Sequence, residues 1–155
     1  MSTTNKATKT NKETNKETVI IAGVIKSAFT HVEKNDDGSI KSKTNVISLF
    51  ADDNLSIDGS PKIWEFFEGF YQGLAPKWIP NWFKERSGIS LKSSYNIPVM
   101  IVDTGDRLSF EEFVERGLIR GASVQIKCNV KDSAIYPSAM KVIADGEEYD
   151  AFKDF

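Results

Sequence analysis

Histidine and cysteine are almost absent from this chain of 155 residues. The single cysteine, Cys128, excludes an internal disulfide and every zinc site built from several cysteines. The single histidine, His31, excludes the usual histidine-rich catalytic metal sites, so we expect neither a metal nor another cofactor. A chain without a disulfide framework is expected in a reducing compartment, which predicts the cytoplasm.

Long apolar runs and an excess of one charge are also missing. No stretch approaches the ~20 apolar residues that cross a bilayer, and the N-terminus lacks the apolar core of a signal peptide, so we expect neither membrane insertion nor export by that route. Lysine and arginine number 20 against 22 aspartates and glutamates, which excludes a uniformly basic, histone-like protein. Apolar residues make up 40%, enough for the core of one domain.

The charge that is present is distributed unevenly. Residues 1–18 consist almost entirely of threonine, asparagine, lysine and glutamate, and carry four lysines against two glutamates. Residues 146–155 carry four acidic side chains against one lysine. Because a segment without an apolar stripe cannot bury a core, the sequence predicts a disordered head over 1–18, a folded domain over 19–145 and an acidic tail over 146–155.

Runs of β-branched and alternating apolar residues predict five strands, over residues 19–32, 40–50, 95–102, 123–131 and 135–144. The pair Asp37-Gly38 predicts a hairpin turn between the first two. Apolar residues at helical spacing after Ser60-Pro61 predict a short helix. A second helix is predicted over residues 110–116, with Ser109 as its N-cap.

This order of elements predicts a mainly β protein. Five strands with a helix between the third and the fourth are typical of a five-stranded OB-fold barrel. A helical, aromatic-rich insertion separates the second strand from the third. Immunoglobulin-like sandwiches have about seven strands and no capped helix, so they fit less well.

The sequence Val102-Asp103-Thr104-Gly105 resembles the active-site turn of retroviral-type aspartic proteases. A capped helix follows this turn, however, and the remaining chain is too short for the long return segment of those enzymes. We therefore interpret Asp103 as part of a strand-to-helix turn. We expect no catalytic residue, and the protein is not predicted to be an enzyme.

Aromatic rings interleaved with cations indicate a surface for nucleic acid, because rings stack on bases while cations hold phosphates. One such set lies in the insertion and contains Trp78, Trp82 and Arg86; a homodimer contact is an equal alternative for it. A second set lies on or beside the predicted strands. Its candidates are Lys26, Phe29, Lys41, Lys43, Phe50, Tyr95, Arg120, Lys127, Lys131, Tyr136 and Lys141.

The sequence resembles the bacteriophage single-stranded DNA-binding proteins of the OB-fold type in three features. These are the order of elements, the run Gly121-Ala122-Ser123-Val124 that opens the fourth strand, and the ending Asp154-Phe155 after an acidic run. The resemblance implies sequence-tolerant binding and protection of single strands, annealing, and a role in phage DNA replication and recombination in the bacterial cytoplasm. It also implies that Asp154 and Phe155 recruit replication or recombination proteins. The alternative is a virion structural or assembly protein that uses the aromatic insertion as an interface.

Overall fold

The computed structural model describes residues 18–71, 79–131 and 134–147. These residues form eight strands and three helices. The strands are β1 (Thr18–Lys34), β2 (Ile40–Phe50), β3 (Ser56–Ile57), β4 (Gly88–Ser93), β5 (Val99–Ile101), β6 (Arg107–Leu108), β7 (Ser123–Lys131) and β8 (Ala134–Ala144). The helices are α1 (Ile63–Tyr71), α2 (Asn81–Glu85) and α3 (Phe110–Arg116). The predicted head over residues 1–17 and the predicted tail from residue 148 onward lie outside the described residues, whereas Thr18 already belongs to β1.

The strands join into one curled sheet in the order β4-β2-β1-β7-β8-β5-β6, and β3 pairs with the first half of β1. All pairs are antiparallel except β5 and β8, which run parallel with Met100 opposite Lys141. β4 and β5 lie far apart along this path but are consecutive in the chain, joined by residues 94–98. The sheet therefore curls back toward its own start. The chain is mainly β, as predicted, and the curl is consistent with a β barrel.

The predicted count of five strands is wrong, because the structure has eight strands among its described residues. The largest difference concerns the third predicted strand, over residues 95–102. Within that range only Val99–Ile101 is a strand, β5, and β4 precedes it as a strand that was not predicted. Residues 94–98, which join β4 to β5, are not in a strand. In that segment Asn45 donates its amide to the carbonyl oxygen of Tyr95 at 2.9 Å, and the side chain of Asn96 accepts from the Phe110 N–H at 2.9 Å. These side-chain bonds take the place of a continuous ladder.

The predicted hairpin between β1 and β2 is confirmed. The Asn35 N–H donates to the Ser39 carbonyl, and Gly38 has the positive φ of 90° that such a turn requires. Asp37 accepts from the N–H and the hydroxyl of Ser39, and these bonds lower the pKa of the carboxyl group. Further along, one extra residue in β1, Lys26, interrupts the register opposite Leu49, and such a bulge bends a strand.

The predicted helix α3 is confirmed together with both of its caps. The hydroxyl of Ser109 accepts from the Glu112 N–H at 3.1 Å, and the Glu112 carboxylate accepts from the Ser109 N–H at 2.8 Å. Gly117 ends the helix with φ of 77°. Phe110 and Phe113 are completely buried. The capping box therefore fixes the entry of a helix whose rings pack into the core.

The predicted helical insertion is confirmed as α1 and α2. Helix α1 begins at Ile63, two residues after Pro61, and buries Ile63, Phe67 and Tyr71 at four-residue spacing. Burial raises the pKa of the Tyr71 hydroxyl to about 12. The ring of Trp82 in α2 meets Phe67 edge to face at 5.0 Å between centroids. Aromatic contacts thus fasten the two helices to each other and to the core.

Candidate nucleic-acid interface

The two faces of β1, β2 and β4 differ sharply in chemistry. Residues that point inward form buried cross-strand rows, of which Ala28, Ile47 and Leu91 are one. Residues that point outward form two further rows in register. These rows are Phe29, Val46 and Lys92, and then Ser27, Ser48 and Ser90. The hydroxyls of Ser48 and Ser90 lie 2.9 Å apart.

A cleft of about 710 Å³ lies over this outward face. Its floor is the serine row, and its sides come from helix α2, from the end of α1 and from the start of β8. We call it the β1–β2–β4 cleft. Its lining includes Lys26, Ser27, Ser48, Tyr71, Trp82, Glu85, Ser90, Lys92, Ile135 and Tyr136.

Three cations lie on or beside this cleft. Lys26 occupies the bulge of β1, and Lys92 lies on β4. The guanidinium of Arg120 is 5.3 Å from the centroid of the Phe50 ring and donates to the carbonyl oxygen of Lys26 at 3.2 Å. Within the described part of the chain, none of the three forms an ion pair with a carboxylate.

Aromatic side chains accompany these cations. Tyr136 lines the cleft with 47% of its surface exposed, and Phe29 is 45% exposed in the outward row. Trp82 lines the cleft from α2 while its ring packs against Phe67. Exposed rings beside cations are typical of surfaces that bind single-stranded nucleic acids, because bases stack on the rings and phosphates pair with the cations.

Several predicted candidates lie elsewhere. Lys43 lies on the side of β2 that faces inward, but at the end of the strand that extends past the core. Its ammonium group is 3.7 Å from the Glu111 carboxylate of α3. Tyr95 lies near that same end of the sheet, and Lys41 lies in the exposed hairpin. Lys43 therefore does not share a face with the other cations.

Arg86 is engaged within the insertion. Its guanidinium donates to the Glu68 carboxylate at 2.6 Å and lies 5.4 Å from the ring centroids of both Trp64 and Phe83. These contacts join α2 to α1. The structure thus gives Arg86 a position that fastens the two helices together.

Lys127 and Lys141 lie on a different outward face, formed by β7, β8 and β5. A second depression of about 680 Å³ covers this face, and Arg107 lines it together with the two lysines. Lys131 ends β7 opposite Ala134. Trp78, Asp154 and Phe155 lie outside the described residues. The predicted set is therefore divided among several surfaces.

Sequence reasoning missed Lys92 and the serine row because it did not identify β4. The sequence Gly88–Ser93 does alternate, with Ile89 and Leu91 inward and Ser90 and Lys92 outward, and this alternation is the signal that could have identified the strand. Arg107 was missed because β6 has only two residues. The pairing of β4 with β2, and of β6 with β5, brings Lys92 and Arg107 into their rows.

No described residues form a cluster of three side chains able to hold a metal ion. Asp103 lies in the predicted turn, which the Gly105 N–H closes by donating to the Ile101 carbonyl at 2.7 Å. Cys128 is fully buried, and burial raises the pKa of its thiol to about 12, so its side chain stays protonated. None of the helices in the described ranges is long and apolar enough to span a bilayer.

No family model matches the chain, no curated protein is similar to it, and no solved structure resembles it. The function is therefore inferred from the side chains that the two outward faces of the sheet carry.

Proposed function

We propose that the protein binds single-stranded DNA, with little sequence preference, in the β1–β2–β4 cleft. The observation that supports this is the serine row lined by Lys26, Lys92 and the half-exposed ring of Tyr136, with Arg120 beside it, bonded to the Lys26 carbonyl. Cations bind the phosphates and aromatic rings stack on bases of any kind, so a surface that has both binds single strands with little dependence on sequence.

The strand order supports an OB-type barrel as the scaffold. If β4 and β5 are counted as two halves of one bent strand and the two-residue strands β3 and β6 are left aside, the described residues contain five main strands, β1, β2, β4/β5, β7 and β8, with α3 between the third and the fourth. In OB folds the face of strands 2 and 3 binds oligonucleotides. That face corresponds here to β2 and β4, which carry the floor of the cleft.

Such a protein would protect single strands during phage DNA replication and recombination in the host cytoplasm, and its acidic tail would recruit partner enzymes. The alternative of an assembly protein has less support. The rings of Trp64, Phe67 and Trp82 pack against one another within the insertion, with centroids 5.0 to 6.4 Å apart. Phe67 is completely buried, and Trp64 and Trp82 are partly buried against the core, so these contacts hold the insertion to its own chain.

Titration of the intact protein with a fluorescent dT oligonucleotide tests the proposal. A stacked base contributes about 1 to 3 kcal/mol, so Tyr136→Ala should weaken binding about fivefold or more. Tyr95→Ala is the matched control, because Tyr95 is 82% exposed but lies away from the cleft. Absence of binding, or equal losses in the two variants, would refute the assignment of DNA to this cleft.

A further inference from the structure

The outward face of β7, β8, β5 and β6 carries positive charge around an apolar floor. One cross-strand row runs through Gln125, Lys141, Met100 and Arg107. Lys127 lies in the adjacent row, between Ile20 and Ala139. Since neighbouring strands lie about 4.8 Å apart, the backbones of Lys141 and Arg107 are ~10 Å apart on either side of Met100.

The chemistry of this face differs from that of the β1–β2–β4 cleft. Its floor consists of Ile20, which is 37% exposed, with Met100 and Ala139. Among the described residues, neither a carboxylate nor an aromatic ring lines the depression. A single strand of DNA would find charges here but no ring on which to stack its bases.

The combination matches another kind of ligand. A peptide that carries carboxylates and apolar side chains could place its apolar groups on Ile20 and Met100 while its carboxylates reach the surrounding cations. Methionine adapts its shape to varied apolar groups, and charge complementarity favours an acidic partner. Such a peptide would contact both the apolar floor and the surrounding cations, whereas a nucleic acid would contact the cations alone.

We propose that this face is a docking site for an acidic peptide segment of a partner protein, bound by Lys127, Lys141 and Arg107 around the Ile20–Met100 floor. The site lies on a different face from the cleft and does not depend on the proposed DNA binding.

Fluorescence anisotropy of the full chain with a labelled peptide of four glutamates and two leucines tests the proposal. We expect saturable binding that weakens about tenfold or more in the variant Lys127→Glu/Lys141→Glu. The matched control Lys26→Glu/Lys92→Glu, which alters the other cleft, should bind the peptide as the unmodified protein does. Replacing the leucines of the peptide by serine, or its glutamates by glutamine, should each abolish most of the binding.

Three results would overturn the proposal. If the serine peptide binds as well as the leucine peptide, the face is only a general surface for polyanions. If a dT oligonucleotide displaces the peptide from the full chain, the face belongs to nucleic acid. If the peptide binds only after Glu148, Asp150 and Asp154 are neutralised, the chain's own acidic segment occupies the face.

Discussion

Removing the two lysines of the β1–β2–β4 cleft should reduce the salt dependence of DNA binding. In the variant Lys26→Gln/Lys92→Gln the side chains keep a polar end and most of their length but lose their charge. Each phosphate contact on a single strand accounts for about 0.7 in the slope of log affinity against log salt, so the slope should fall by about 1.4. Across a rise from about 50 to about 200 mM salt, the unmodified protein should lose about sevenfold more affinity than the variant.

The assay is the dT titration repeated at several salt concentrations. The matched control is Lys127→Gln/Lys141→Gln, which removes the same charge from the other face and should leave the slope unchanged. An equal decrease in both variants would show that binding depends on net charge rather than on the cleft. An unchanged slope in Lys26→Gln/Lys92→Gln would show that these lysines contact no phosphate.

Three further predictions concern stability, each measured by urea unfolding. Ser109→Ala removes the N-cap of α3 and should lower the free energy of unfolding by about 1 kcal/mol, and a change near zero would contradict the capping role. Arg86→Gln breaks the exposed contact with Glu68 and should cost about 1 kcal/mol or less while DNA affinity stays unchanged; a loss of affinity would instead place Arg86 in the interface. Burial raises the pKa of the Cys128 thiol from 9.0 to about 12, so the unfolded chain loses this proton first and stability should fall above about pH 9, by up to about 1.4 kcal/mol per pH unit. Cys128→Ala should remove that fall between about pH 9 and about pH 10, and an identical fall in both proteins would contradict it.

Local chemistry made much of the fold predictable. The turn at Gly38, the capping box of Ser109 and Glu112, and the alternation of β7 each depend on residues close together in sequence, and all three are found where they were expected. The predicted strand over 95–102 is confirmed only at Val99–Ile101, and it is wrong around Tyr95, where the side chain of the distant residue Asn45 bonds to the backbone. A hydrogen-bond partner so distant in the chain cannot be predicted from the local sequence pattern.

The division of the candidate residues between faces was less predictable. Lys43 and Lys127 are both exposed lysines on strands, yet Lys43 contacts Glu111 of α3 and Lys127 lies on the opposite half of the sheet. The face of a lysine depends on the curl of the sheet and on bulges such as the one at Lys26. Both features arise from long-range pairing.

The long strand β1 has a consequence for how the chain folds. Its second half pairs with β2 across a short turn, but its first half pairs with β7, so that Val24 lies opposite Ser123. During synthesis the hairpin can form early, whereas the first half must wait until β7 has left the ribosome. Closing such distant pairs is slow, because the entropy of a long loop is lost before the ladder forms. Until then the apolar side chains of Val19 and Ile21 lack their partners Cys128 and Ile126 in β7, and a nascent chain is most exposed to aggregation in this interval.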